Sequence, residues 1–137
     1  MGRVLAIDLG TKRTGIAVTD ILKITANPLE TIRTMDLDKF LKDYIQKEDV
    51  EAIVVGYPKS MDGSDTQMTQ PAIKLKDKLS KAYPDKKVVL VDERFTSKMA
   101  MQSMIAMGSK KKDRKEKSGN LDKISAAIIL QTYLDQI

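Results

Sequence analysis

Short apolar runs of strand length alternate with longer segments of helical periodicity along this chain of 137 residues. Residues 4–9 and 15–19 flank a Gly-Thr-Lys-Arg-Thr turn, which predicts a β-hairpin. Residues 52–56 and 87–91 are almost wholly apolar, as is typical of parallel strands that are covered on both faces. Strands and helices that alternate in this way predict an α/β domain, with a mixed sheet and helices on its faces.

The remaining elements complete this pattern. Residues 24–32 predict a third strand, and Pro28 places it at an edge of the sheet or makes its start irregular. Apolar side chains spaced three and four apart predict a helix that Asp36 caps. Further helices are predicted over residues 66–83, 96–108 and 121–134. Because neither a repeat nor a Pro/Gly-rich linker interrupts the chain, we expect a single domain over residues 1–137.

The chain contains neither histidine nor cysteine. Catalysis by Ser-His-Asp or Cys-His groups is therefore excluded, and so are zinc sites of the His/Cys type. Carboxylates without nitrogen or sulfur ligands suit hard cations such as Mg²⁺ or Mn²⁺. The lack of cysteine fits a reducing cytoplasm. The first residues enter a strand pattern rather than a signal peptide, and no apolar run approaches the ~20 residues that a spanning helix needs, so we expect a cytoplasmic protein.

The net charge of +5 is concentrated in one segment. Residues 110–117 read K-K-K-D-R-K-E-K, with six basic and two acidic side chains, so the rest of the chain is almost neutral. A basic patch on a neutral body predicts a polyanionic partner, bound by Lys110, Lys111, Lys112 and Arg114. The alternative is a solvated loop without a ligand.

Three acidic residues lie where a charged side chain needs an explanation. Asp8 and Glu93 follow apolar strand segments, and Asp122 lies in the first turn of an apolar helix. Ligands of open α/β sheets gather beyond the carboxyl ends of strands, and divalent cations relieve the repulsion between converging carboxylates. Two ions ~4 Å apart can activate a water molecule and stabilise the leaving oxygen of a phosphodiester. The pattern predicts a site for Mg²⁺ or Mn²⁺.

Each acidic residue also has a purely structural interpretation. Asp122 could interact favourably with the helix dipole, and Asp8 could form a turn before Gly10. Asp92 and Glu93 could simply end a strand. The set of three carries more weight than any one member.

Four motifs, in order and spacing, resemble those of one known family. They are residues 8–17 (DLGTKRTGIA), 56–64 (GYPKSMDGS), 92–96 (DERFT) and 122–127 (DKISAA). Together they resemble the YqgF/RuvX family, a group of Holliday junction resolvase-like and pre-16S rRNA nuclease-like proteins. The resemblance spans nearly the whole chain.

The resemblance implies an RNase H-like fold, whose five-stranded mixed sheet has three antiparallel strands first and two parallel strands last. It implies that Asp8, Glu93 and Asp122 are the catalytic acids. Asp92 is a lesser candidate because it is adjacent to Glu93. It also implies a nuclease that processes the 5′ end of the small-subunit ribosomal RNA precursor.

Several other motif residues are candidates for binding nucleic acid. Lys12 and Arg13 could grip a phosphate at the hairpin turn, although an exposed turn without a ligand is the alternative. Arg94 could bind substrate or pair with a neighbouring carboxylate. Two further candidates, in the loop after the fourth strand, are Lys59 and Ser64. Because aromatic residues make up only 4% of the chain, base stacking is expected to be minor, which favours structured RNA or a junction.

Four functions remain open from the sequence. The first is a metal-dependent nuclease acting on ribosomal RNA precursor, and the second is a DNA junction resolvase with the same site. The third is a nucleotide-binding module, because the first motif also resembles the phosphate loop of actin-like and sugar-kinase-like ATPases. Those proteins contain two such domains, and 137 residues leave no room for the second. The fourth is a nucleic-acid-binding module without activity. The sequence leaves both a monomer and a homodimer open.

Overall fold

The computed structural model describes residues 2–58, 64–92 and 119–136. The strands in these ranges are β1 (Arg3–Asp8), β2 (Arg13–Thr19), β3 (Ala26–Arg33), β4 (Val50–Tyr57) and β5 (Lys87–Asp92). They form one sheet in the order β3-β2-β1-β4-β5. β1, β2 and β3 pair antiparallel, whereas β4 lies parallel to both β1 and β5. The predicted mixed sheet is confirmed, with β3 at an edge as Pro28 indicated.

Three α-helices cover this sheet within the described ranges. They are α1 (Leu37–Lys47), α2 (Thr69–Ala82) and α3 (Gly119–Gln136). α1 and α2 pack against one face of the sheet, and α3 packs against the other. The prediction of helices on both faces is therefore confirmed, whereas the helix predicted over residues 96–108 lies outside the described residues. No helix in the described ranges is long and apolar enough to cross a membrane.

The alternation of side chains along β1 assigns each residue to one face. Leu5 and Ile7 belong to the core beneath α1 and α2. Val4 and Ala6 belong to the core beneath α3. Because successive side chains of a strand point to opposite faces, Asp8 continues the series that faces α3.

The core beneath α3 is built from unusually small side chains. Four alanines from three strands and from α3 itself, each at most 2% exposed, form what we call the alanine layer: Ala6, Ala17, Ala52 and Ala126. Larger side chains, such as Ile129 and Leu130, fill the remaining space. Since interiors are close-packed, small side chains at the contact allow the helix backbone to lie close to the sheet.

Asp36 takes the predicted N-cap position of α1, but its side chain does not cap the helix. A 3-10 turn over Thr34–Asp36 precedes α1, and the backbone of Asp36 (φ −95°, ψ 1°) is not in the extended conformation of a capping residue. Its carboxylate makes no cap hydrogen bond and instead accepts one from Arg33 Nε at 3.1 Å. The helix therefore begins from the 3-10 turn, which its apolar spacing does not reveal.

Candidate functional site

The carboxyl ends of β1, β4 and β5 lie along one edge of the sheet. Ile7 pairs with Val55, and Val55 pairs with Leu90, so these three positions form a row across the strands. Asp8 and Asp92 lie one and two positions beyond this row and are both half-buried. We call this the carboxyl edge. It is where open α/β sheets hold their ligands.

The two aspartates lie on opposite faces of the sheet. Asp92 pairs with Tyr57, which packs against the core beneath α1 and α2. Paired residues on neighbouring strands share a face, so Asp92 lies on that face and Asp8 lies on the face of α3. The structure therefore separates Asp92 from Asp8, which argues against Asp92 as a partner in the same site.

A contact near its carboxyl end shows where α3 meets the first residue of β5. Lys87 Nζ lies 5.9 Å from the centre of the Tyr133 ring, and Lys87 is the first residue of β5. From Tyr133 back to Asp122 a helix rises about 16 Å, and from Lys87 to Asp92 a strand extends about 16 Å. The stretch of α3 from Tyr133 back to Asp122 therefore matches β5 in length, and α3 packs on the face of the sheet that carries Asp8.

The side chains at this edge that could coordinate a metal ion are carboxylates, the ligand type that Mg²⁺ and Mn²⁺ prefer. Within the described ranges, no three acidic residues lie close enough together to hold a metal ion. Of the predicted ligands, Asp8 is described in full and Asp122 by its backbone alone, while Glu93 lies outside the described residues. The three-carboxylate site therefore stays a prediction.

The turn between β1 and β2 carries the first group of predicted phosphate contacts. It follows Asp8 directly, so it lies at the carboxyl edge. Lys12 is exposed, and Arg13 is half-buried at the start of β2. Arg13 lies opposite Arg33 of β3, which brings basic side chains together beside the turn. These positions suit contact with a polyanion.

Thr34, which sequence reasoning missed, holds this turn in place. Its amide donates to the carbonyl of Lys12 at 2.9 Å, and its Oγ1 donates to the carbonyl of Gly10 at 2.7 Å. Thr14 Oγ1 lies 2.8 Å from Thr34 Oγ1, and must be the donor because the single hydroxyl proton of Thr34 is already used. The only signal for Thr34 was its place at the end of the third strand, because the role depends on how β3 pairs with β2.

A second threonine, also missed, contacts the residue that follows β4. Thr69 is fully buried in the first turn of α2, and its Oγ1 donates to the carbonyl of Pro58. The same oxygen accepts a hydrogen bond from the amide of Thr66 at 2.8 Å. Thr69 therefore links Pro58, just after β4, to Thr66, just before α2. Within the second motif, Ser64 is exposed, as a contact with nucleic acid requires.

The other predicted contacts with nucleic acid lie outside the described residues and stay predictions. They are Lys59, Arg94, Lys110, Lys111, Lys112 and Arg114. The last four precede α3 in the chain.

Replacing Gly10 with alanine is expected to destabilise the protein by about 1 kcal/mol or more, as overpacking does elsewhere. A Cβ at Gly10 would overlap the backbone carbonyl oxygen of Arg13, which cannot move without breaking the start of β2. Urea unfolding of the variant measures the loss. Thr11→Ala is the matched control, because Thr11 is exposed in the same turn. Equal stability of Gly10→Ala and wild type would contradict a tightly closed turn.

The chain is similar to known proteins over almost its whole length. A family model described as "RuvX: Holliday junction resolvase" matches residues 2–136. A protein of Christiangramia forsetii is 52% identical over 98% of both chains, and one of Phocaeicola vulgatus is 50% identical over 98% of this chain and 96% of its own. Both bear the name "Putative pre-16S rRNA nuclease".

Solved structures of RuvC from Thermus thermophilus share the fold. One has a TM-score of 0.57 at 13% identity and covers 98% of this chain and 95% of its own. The other, a complex with a Holliday junction substrate, has a TM-score of 0.56 at 16% identity, with coverage of 99% and 96%. These likenesses confirm the predicted RNase H-like fold. Because the family model matches residues 2–136, the chain belongs to the RuvX family.

Proposed function

We propose that this protein is a metal-dependent nuclease that hydrolyses phosphodiester bonds, with the precursor of the small-subunit ribosomal RNA as its substrate. The observation that carries the proposal is the half-buried Asp8, which ends β1 at the carboxyl edge on the face of α3. The relatives at 50–52% identity, which bear the name of a pre-16S rRNA nuclease, favour this substrate.

In this proposal, Asp8, Glu93 and Asp122 hold one or two Mg²⁺ or Mn²⁺ ions. Such ions, when bound, activate water and neutralise the charge that develops on the leaving oxygen. The task of the three carboxylates is to hold the ions at fixed positions beside the scissile phosphate. Because the chain has no histidine, carboxylates are the side chains that remain for this task at neutral pH.

Basic and polar side chains around the carboxyl edge bind the phosphate backbone in this proposal. They are Lys12, Arg13, Lys59, Ser64, Arg94, Lys110, Lys111, Lys112 and Arg114. Contacts to phosphates fix the orientation of a nucleic acid without reading its sequence. Substrate choice would then depend on the shape of the nucleic acid more than on its bases.

A second candidate function uses the same site on DNA. The family model carries the description of a Holliday junction resolvase, which favours a four-way junction as substrate. We rank it second because the relatives at 50–52% identity are named for RNA.

Cleavage assays separate these functions. Pure protein is incubated with precursor small-subunit ribosomal RNA or with a four-way DNA junction, in Mg²⁺, in Mn²⁺ and in excess chelator. We expect cleavage of the RNA that requires the metal, and slower cleavage or none of the junction. Cleavage of the junction alone would favour the second function. Full activity in chelator would refute the metal-dependent mechanism, and no cleavage of either substrate would refute the nuclease.

We further propose that the protein is a single cytoplasmic domain over residues 1–137. The described elements share one sheet, and the family model matches residues 2–136. The absence of cysteine supports a reducing compartment.

A further inference from the structure

We propose that Thr34 is a positioning residue, which orients the β1–β2 turn so that the turn can bind a phosphate of the nucleic acid. The inference rests on the proposed function in one respect, namely that the ligand is a nucleic acid. Thr34 itself follows the third strand of the sheet and belongs to none of the four motifs. Its link to the turn exists only in the folded protein.

The hydrogen bonds of Thr34 determine how the peptide units of the turn are oriented. The carbonyls of Gly10 and Lys12 both accept from Thr34, one from the hydroxyl and one from the amide. In a trans peptide, the N–H points to the side opposite the carbonyl, and the described chain has no cis peptide bond. The amide of Thr11 is therefore directed away from Thr34. An amide N–H beside the exposed side chain of Lys12 is a suitable pair of donors for a phosphate oxygen.

The orientation of the turn depends on the Thr34 hydroxyl, because the groups around this hydroxyl are tightly packed. Gly10 is packed so closely against the carbonyl of Arg13 that a Cβ would overlap it. Thr14 is fully buried, and its hydroxyl donates to that of Thr34. Removing the Thr34 hydroxyl leaves the Gly10 carbonyl and the Thr14 hydroxyl without this partner, so the turn must shift to satisfy them.

The position of Thr34 also predicts which step of the reaction it affects. Its amide and its hydroxyl bond to Lys12, Gly10 and Thr14, in and beside the turn that binds phosphate. The proposed metal ligands instead come from the strand ends and from α3. Loss of a binding interaction that is equal in the ground state and the transition state raises KM and leaves kcat unchanged. A substitution at Thr34 should therefore weaken binding while the rate at saturation persists.

The test compares Thr34→Val, which removes the hydroxyl and keeps the volume, with Thr34→Ser, which keeps the hydroxyl. Binding of a fluorescent RNA hairpin is measured by anisotropy in excess chelator, so that cleavage cannot interfere. We expect Thr34→Val to raise Kd roughly fivefold, the change that corresponds to one hydrogen bond of about 1 kcal/mol, and Thr34→Ser to restore wild-type binding. In a cleavage assay, the same valine variant should raise KM and keep kcat.

A matched control removes a threonine hydroxyl elsewhere. Thr132 Oγ1 donates to the carbonyl of Ile128 at 2.8 Å, near the opposite end of α3. Thr132→Val should bind RNA as the wild type does. Amide hydrogen exchange adds a readout that needs no ligand: residues 10–13 should exchange faster in Thr34→Val than in Thr34→Ser.

The outcomes distinguish this inference from the proposed function. If the wild-type protein binds RNA without cleaving it, the proposed nuclease activity is refuted. The comparison of Kd values would still test the role of Thr34 in binding. Equal Kd values for Thr34→Val and wild type would overturn the role of Thr34 alone. Failure of Thr34→Ser to restore binding would overturn it too, since the hydroxyl would then not be the cause.

Discussion

Replacing Asp8 with asparagine is expected to lower the cleavage rate more than about a hundredfold. Mutating a residue that only hydrogen-bonds to a metal ligand already lowers metal affinity or activity about 10–100-fold, and Asp8 is proposed as a ligand itself. The change keeps the size of the side chain and removes its charge at the carboxyl edge. Single-turnover cleavage of precursor ribosomal RNA in Mg²⁺ measures the loss. Circular dichroism and melting curves check that the fold survives.

Asp92→Asn is the matched control for this variant. It removes the same charge from the same edge, but Asp92 lies on the opposite face of the sheet. Its cleavage rate should stay within a few-fold of wild type. Millimolar Mg²⁺ or Mn²⁺ should raise the melting temperature of wild type and of Asp92→Asn by mass action, and should raise that of Asp8→Asn less. Wild-type cleavage by Asp8→Asn would show that the metal site is misassigned.

Replacing the basic residues before α3 with alanine should weaken nucleic-acid binding about tenfold to a hundredfold at low salt, because up to four phosphates would no longer be neutralised. The variant changes Lys110, Lys111, Lys112 and Arg114. The slope of log Kd against log salt concentration should become shallower in proportion to the number of phosphates that the variant leaves unbound. Folding stability should barely change, since we expect a run of charged side chains to contribute little packing. Anisotropy titrations of one RNA at several salt concentrations give both the affinity and the slope.

The control removes the same number of charges from α1 and α2, on the face of the sheet opposite α3. Four lysines on α1 and α2 are exposed and are suited to replacement by alanine: Lys42, Lys47, Lys74 and Lys81. This variant has the same net charge as the first, so any difference between the two reflects position. Superimposable titrations of the two variants would mean that the basic segment acts only through overall charge. Superimposable titrations of the first variant and wild type would show that the basic segment has no role in binding nucleic acid.

Much of the fold could be predicted because its strands are distinct in the sequence. Residues 52–56 and 87–91 are short apolar runs, and they became β4 and β5 with small extensions at their ends. The third strand begins at Ala26 rather than at residue 24 because the Asp20 carboxylate accepts hydrogen bonds from the amides of Ile24 and Thr25, at 2.9 Å each. A local side-chain bond of this kind competes with the strand and is invisible to hydrophobic patterning.

The site was predictable only where a residue carries its own signal. Asp8 stands out because a charge follows an apolar run. Thr34 and Thr69 carry no such signal, because their roles depend on which carbonyls the folded chain brings within reach. Asp92 is the opposite case, because the sequence suggested a role that the fold does not support. Its adjacency to Glu93 in the sequence suggested that both residues belong to one site. Alternation along β5 places it on the face away from Asp8.

The alanine layer implies that the cores on the two faces of this sheet tolerate amino-acid substitutions to different degrees. Beneath α1 and α2, large side chains such as Leu41 and Leu75 can be exchanged for others of similar volume, with neighbours repacking around them. An alanine in the contact between α3 and the sheet can be replaced by a smaller residue only if that residue is glycine. Any larger side chain there would push α3 away from the sheet. Because α3 carries Asp122, such a substitution would change the spacing between carboxylates from a distance. We therefore expect relatives to diverge beneath α1 and α2 far more readily than beneath α3.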